Sequence, residues 1–364
     1  MLFYIETKDL IFISSNTLLK IMKRNKLILF FCALSLSAVT FGQKKYNVYS
    51  AAFYNVENLF DTNNDEGVND EEFTPSGNKA WTADKYNKKL NNIASVMSKL
   101  AREYCPGGPA LIGVAEIENR GVLEDLLKTR EMSGMGYQIV HYDSPDRRGV
   151  DVGLLYNPSI FKVTSSKVYA YNLPENPDFK TRDQLLVSGT LAGDSFHVIV
   201  SHWPSRYGSK SSQLREFAAS ITKHIADSIY QADSSAKIVI MGDLNDDPVD
   251  KSTRIVLDAK RNRKDVKPGG LYNTMWGFYD KGIGSLVYQN KWNLFDQIII
   301  SESLLGDDRS SLKFWKAEIF NRDFLIQKEG KNKGYPLRTF SGDTFLNGYS
   351  DHFPTLIYMI KEVD

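Results

Sequence analysis

The sequence predicts an α/β protein built on two mixed β-sheets packed face to face, with helices outside. Three observations carry that expectation. Apolar runs that read as strands alternate with helical periodicity on either side of the chain's middle. In the middle, several strands follow one another without a helix, which pure βαβ winding does not produce. Aromatic residues make up 12% of the 364-residue chain and are spread throughout, which fits a packed globule and argues against disorder.

The N-terminus reads as a leader. Lys23, Arg24 and Lys26 precede an apolar run over 27–39, and Gly42 follows. This is the pattern of a signal peptide over residues 22–42, and the run is too short for a comfortable membrane span. Met22 is an alternative start, making 1–21 an upstream extension. Residues 43–364 are then a single domain. Residues 1–42 hold five of the 45 basic and two of the 44 acidic side chains, so the remaining 322 residues carry a net charge of −2. A protein that wraps long nucleic acid usually shows a basic excess, and none is visible in this total. Cys105 is the one cysteine beyond the leader, so no intramolecular disulfide forms and the core alone must hold the fold.

Residues 49–56 read as the first strand. An acidic stretch at 61–72, with Asp61, Asp65, Asp70, Glu71 and Glu72, lacks the ordered spacing of a calcium loop and reads as solvated. Residues 82–104 read as a helix capped by Thr82, with Leu90, Ile93, Met97 and Leu100 on one stripe. Residues 110–115 form a buried strand, and 119–130 a short helix. Strands follow at 152–156, 161–170, 185–191 and 196–200, then an amphipathic helix at 213–230. The run Lys237-Ile-Val-Ile-Met-Gly-Asp-Leu-Asn-Asp246 is an apolar strand that turns at Gly242 and delivers Asp243 and Asn245. A helix near 250–259 and strands at 294–300 and 355–360 complete the order. No repeat and no linker divide the chain.

Polar side chains recur where strands end. They are Asn55 and Glu57, Glu116, His202, Asp243 and Asn245, Asp296, and Asp351 with His352. Singly, each has a plain structural reading. Together they match what phosphoester hydrolysis needs: carboxylates for a hard cation, a group to orient and deprotonate water, and donors for the charge that builds on phosphoryl oxygens. Glu57 and Glu116 suit the metal, and Asp243 suits the water. His202, His352, Asn55 and Asn245 suit the phosphate, and Asp296 suits orienting a histidine. Arg206 offers a guanidinium that matches phosphate geometry.

Asn55-Val-Glu57, Glu116, Ser201-His202, Gly242-Asp-Leu-Asn245, Asp296 and Ser350-Asp-His352, in this order, resemble the endonuclease/exonuclease/phosphatase superfamily, and its secreted bacterial branch in particular. The resemblance implies a deoxyribonuclease-like, four-layer α/β/β/α sandwich of two mixed sheets, with the site at one rim. It implies Glu116 as the principal Mg²⁺ ligand, with Asn55 and Glu57 nearby and Asp351 as a second metal-binding or histidine-orienting carboxylate. Mn²⁺ or Ca²⁺ are alternative ions. Asp243 would align or deprotonate the water, and Asn245 would hold it and a phosphate oxygen. His352, ordered by Asp296, would contact the phosphate, and His202 would stabilise the transition state or assist the leaving group. Arg148 and Asp151 resemble a segment near the phosphate.

The expectation is a secreted, Mg²⁺-dependent phosphoesterase, foremost an endonuclease on nucleic-acid phosphodiesters, acting as a monomer without a stable membrane anchor. The alternatives are a lipid or small-molecule phosphoesterase, which would need Trp276, Phe278 and Tyr279 as an exposed aromatic loop where a packed loop is the preferred reading, and an inactive anion-binding protein. Substrate choice is expected in the loops at 61–80, 142–150, 170–183, 260–292 and 321–348.

Overall fold

The computed structural model describes residues 44–363, and the expected signal peptide lies outside the described residues. Residues 48–361 form one compact unit. In chain order the elements are β1 (Lys45–Leu59), α1 (Ala83–Met97), β2 (Leu111–Ile117), α2 (Arg120–Lys128), β3 (Gln138–His141), β4 (Asp151–Tyr156), β5 (Phe161–Tyr169), β6 (Gln184–Leu191), β7 (Asp194–His202), α3 (Ser211–Ala232) and β8 (Lys237–Asp243). Then come β9 (Ala259–Lys260), β10 (Leu271–Asn273), α4 (Trp276–Tyr279), β11 (Leu286–Tyr288), β12 (Lys291–Asn293), β13 (Asp296–Ser301), β14 (Lys313–Ile319), β15 (Phe340–Ser341), β16 (Thr344–Phe345) and β17 (Thr355–Val363).

A six-stranded sheet runs β14-β17-β1-β2-β4-β3, and a seven-stranded sheet runs β5-β6-β7-β8-β13-β10-β9. Both are mixed. β1–β2 and β7–β8 pair parallel, while β2–β4 and β8–β13 pair antiparallel.

Period-two alternation explains the layers. Phe196, Val198 and Val200 of β7, Val239 and Met241 of β8, and Ile298 and Ile300 of β13 enter the large core shared with the six-stranded sheet. That core also takes Ile93 and Met97 of α1 and Leu123 and Leu126 of α2. The alternate residues Ile199, Ile238, Ile240 and Ile299 pack with Ala218, Ile225 and Ala226 of α3. A strand covered on both faces must be apolar at nearly every position, which is why 238–241 carries no polar residue. The sheets approach closely at Gly113, where a Cβ would sit 2.5 Å from Met241 Sδ.

Three expectations are corrected. The helix expected over 82–104 ends at Met97. Ser98 closes it, and the chain continues in turns through Ala101, whose φ is +58°. Leu100 is buried all the same, so the apolar stripe outlives the helix. The helix near 250–259 is a single wide turn, Ser252–Val256, because Asp258 enters the left-handed region and Ala259 pairs with Leu271. The acidic stretch is not simply solvated: Asp70 is 1% exposed. The packed reading of 276–279 holds, since Trp276 is buried and Phe278 and Tyr279 pack on the core. Strand β3, strand β14 and the two small hairpins (β11–β12 and β15–β16) have no counterpart in the sequence reading.

Candidate active site

Sheet register assembles the centre of the site. His202 on β7 lies opposite Asp243 on β8, and Asp243 lies opposite Asp296 on β13. Three adjacent strands therefore deliver three chemical groups abreast. The β7–β8 pairing leaves no room for a side chain at position 242: a Cβ on Gly242 would sit 2.2 Å from the Ser201 carbonyl oxygen.

The other sheet contributes through irregular strand ends. The β1–β2 register breaks between Asn55 and Leu59, and the β2–β4 register breaks between Ala115 and Ile117. Such bulges turn side chains that regular pleating would send elsewhere. Glu57, Asn58 and Glu116 have φ of +52°, +51° and +60°, and Asn245 beyond β8 has +51°. Left-handed backbone at non-glycine residues is uncommon and clusters at functional sites.

Asp243 is held at both oxygens. Oδ1 accepts the Asn245 backbone amide at 3.0 Å, and Oδ2 accepts Asn55 Nδ2 at 3.0 Å. Asn55 is itself oriented, because its Oδ1 accepts the Glu57 amide at 2.9 Å. Burial pushes the Asp243 carboxyl up to about 6, with His352 pulling it down and Asp296 pushing it up. Asn245 donates its side-chain amide to the Trp203 carbonyl at 2.9 Å.

The two histidines are tuned apart. His352 Nδ1 lies 2.7 Å from Asp296 Oδ2, and Nε2 lies 3.9 Å from Asp243 Oδ2. Burial opposes its charge. Asp296, Asp351 and Asp243 outweigh that and hold its pKa well above the ordinary histidine value. Ser285 Oγ donates to the same Asp296 oxygen. His202 Nε2 lies 3.6 Å from Asp243 Oδ2 and 3.9 Å from Glu116 Oε1. Burial, then Arg182, Arg148 and His352, push its pKa well below 6.5. At neutral pH one imidazole is cationic and the other neutral, which divides their roles.

Glu116 Oε2 accepts the Asn58 amide at 3.1 Å. Its carboxylate is partly exposed, and hard oxygen donors at such a position fit a hard divalent cation. Asp243, Asp296 and His352 each offer a ligand atom, all within 4.8 Å of one another.

Three candidate carboxylates carry bonds of their own, although Asp351 Oδ1 still lies 3.8 Å from His352 Nε2. Both Glu57 oxygens are taken, Oε1 by Arg338 Nε at 3.0 Å and Oε2 by the Thr339 amide at 2.6 Å. Glu57 therefore anchors the 338–339 segment. Asp351 Oδ2 accepts Arg338 Nη2 at 2.9 Å. Asp151 accepts from His141 at 3.0 Å and from the Ser144 amide at 2.9 Å. Arg148 reaches solvent, with Nε 3.5 Å from Asp146 Oδ1. Arg206 points into the protein: it donates to the Asn245 carbonyl at 2.8 Å and to Asp250 at 2.6 Å, and covers the Phe295 ring. It staples the loop after β8.

Sequence reasoning missed four supporting residues. Arg182 is buried and donates to the His202 carbonyl at 3.2 Å, the Trp203 carbonyl at 2.6 Å and Asp146 at 2.8 Å. Ser285, Arg338 and Lys89 are the others, and Lys89 Nζ donates to the Tyr349 carbonyl at 2.7 Å beneath Glu57. Each stands alone in its segment, with no motif around it. An unpaired Arg in a loop gives no signal until the fold buries it.

With this geometry in place, the comparisons agree. A family model described as Endonuclease/Exonuclease/phosphatase family matches residues 50–361. No curated protein sequence matches the chain. Solved structures do. A humanized D. rerio TDP2 is 13% identical, with a TM-score of 0.53 over 86% of this chain and 99% of that one. An endonuclease/exonuclease/phosphatase family protein from Bacteroides thetaiotaomicron is 14% identical, with a TM-score of 0.53 over 88% and 97%. A mannosyl-6-phosphatase of Bacteroides thetaiotaomicron is 13% identical, with a TM-score of 0.52 over 87% and 100%. At these identities the structural likeness establishes the fold.

Proposed function

From the premise that the chain belongs to the endonuclease/exonuclease/phosphatase family, we propose that it is a secreted, Mg²⁺-dependent phosphoesterase that cleaves nucleic-acid phosphodiesters by water attack. The observation that carries the chemistry is the abreast placement of His202, Asp243 and Asp296, with His352 on the Asp296 carboxylate. When bound through Glu116 and the adjoining Asn55, the divalent cation supplies charge neutralisation at the phosphate.

The chain's own groups do the rest. Asp243, fixed at both oxygens, orients a water and takes its proton as the water oxygen bonds to phosphorus. His352, charged and locked by Asp296, donates to a phosphoryl oxygen where negative charge grows. Neutral His202 adds a second donor on the other flank of Asp243. The bond from phosphorus to the leaving oxygen breaks, and that oxygen takes up a proton from solvent.

Nucleic acid is favoured as the substrate by Trp292. It is 40% exposed and stacked on Phe353, the residue after His352, at 6.0 Å between ring centroids. An exposed indole beside a phosphate site suits a nucleobase. Arg148, whose charge acts on His202, is partly exposed and adds positive charge at the rim. The leader expected over 22–42 supports secretion. Among the described residues no helix is long and apolar enough to cross a membrane.

The test is a panel of single-stranded DNA, RNA, plasmid, a phosphorylated sugar and a choline phospholipid, each with Mg²⁺ and with EDTA. Metal-dependent cleavage of nucleic acid, weakened in Trp292→Ala, supports the proposal. Turnover of the sugar or lipid ester alone would replace the substrate while keeping the chemistry.

A further inference from the structure

The loop after β1 carries a second set of carboxylates, apart from those that serve the proposed reaction. Asp65, Asp70 and Glu118 each place an oxygen within 4.8 Å of the other two. Asp70 and Glu118 are 1% and 5% exposed. One oxygen of each is used: Asp70 Oδ2 accepts the Asp65 amide at 2.9 Å, and Glu118 Oε2 accepts the Asp61 amide at 2.6 Å. The other oxygens, Asp70 Oδ1 and Glu118 Oε1, are buried and have no hydrogen-bond partner in the protein.

Two orphaned carboxylate oxygens in one buried corner are costly, because burying a charge unpaired removes its hydration without return. The charges that act most on Glu118 are Asp61, Asp65 and Asp70, all of the same sign. Asp65 likewise feels Asp61, Asp70 and Asp143. The donors in this corner, the Asp65 and Asp61 amides and Asn119 Nδ2, serve other oxygens and leave Asp70 Oδ1 and Glu118 Oε1 unpartnered. Asp61 and Asp65 lie on one loop, with the Asp61 amide on Glu118 and the Asp65 amide on Asp70. Gly67 follows with φ of +89°, which lets the chain curl back toward Asp70.

We propose that Asp65, Asp70 and Glu118, with Asp61 beside them, form a Ca²⁺ site that ties the 61–72 loop to the end of β2. Calcium is the fitting ion. It accepts many oxygens at irregular angles, whereas Mg²⁺ requires near-ideal octahedral geometry and keeps its waters. The site uses no residue assigned to the reaction, so it stands or falls separately from the phosphoesterase reading.

The experiment uses the full chain stripped by chelation, with Ca²⁺ titrated in the absence of Mg²⁺ and the melting temperature recorded. Saturating Ca²⁺ is expected to raise the melting temperature of the wild type by about 5 °C. Glu116→Gln should keep that rise, because its carboxylate belongs to the other site. Asp70→Asn and Glu118→Gln should lose it. Their ion-free melting temperature should not fall, since neutralising one carboxylate relieves repulsion, whereas a merely structural carboxylate would lower it on removal. Ca²⁺ should also slow proteolysis within 61–72. No rise in the wild type, a rise retained in both Asp70→Asn and Glu118→Gln, or a rise lost only in Glu116→Gln would overturn the proposal. If neither buried variant folds, exposed Asp65→Asn decides: a reduced rise supports the site, and an unchanged one refutes it.

Discussion

Asn55 on β1 donates to the Asp243 carboxylate on β8 at 3.0 Å, across 188 positions of sequence. One hydrogen bond thus joins the six-stranded sheet to the seven-stranded sheet at the group assigned to the water. Asp243→Asn should lower kcat by about 10³-fold, within the range for a general base. Far-UV circular dichroism should stay unchanged, because the substitution keeps the size of the side chain. Near-normal turnover would remove Asp243 from its role.

The Asp296–His352 pair sets a pH dependence. The folded pKa of His352 is raised, so the pair's contribution to stability is complete below the ordinary histidine value and is lost as pH rises through the raised one. In Asp296→Asn the ion pair is gone, and burial pulls His352 down. The alkaline fall of kcat should therefore move to lower pH in this variant. Its melting temperature should also depend less on pH above ~6.5 than that of the wild type. Superimposable pH profiles would refute the coupling.

Glu57 and Glu116 should separate cleanly in a metal titration. Glu116→Gln should raise the Mg²⁺ concentration for half-maximal rate by at least about 10-fold. Glu57→Gln should leave it unchanged and instead cost about 3 kcal/mol of stability, since Lys89 and Arg338 lose their buried partner. An equal metal effect in both variants would make Glu57 a ligand.

Arg206→Ala distinguishes a loop staple from a phosphate clamp. Loss of its bonds to Asn245 and Asp250 should lower kcat about 10-fold with KM nearly constant, and lower the melting temperature by about 4 °C. A rise in KM with unchanged stability would assign it to substrate binding.

The strands that position the chemistry were legible because each is short, apolar and closed by a polar residue. The fully buried run 238–241 is the clearest case. Helix ends were less legible: the apolar spacing of 90–100 persists into turns, and only backbone conformation at Ala101 tells them apart. Asp243, Asp296 and His202 were picked out from sequence as strand-end groups that register then brings together, and His352 from the motif before β17. Arg182, Lys89 and Ser285 were not, because their importance comes from what they are buried against. Glu57 shows the converse, a carboxylate in a motif whose partners, Arg338 and Thr339, lie about 280 positions away.

The left-handed residues Glu57, Asn58, Glu116 and Asn245 have a consequence for lineages of this fold. Each conformation costs on the order of 1 kcal/mol that glycine would not pay. A descendant released from catalysis could accept glycine at these turns and gain heat resistance. Among related chains, an inactive copy that melts higher than its working parent would be the expected fossil of that release.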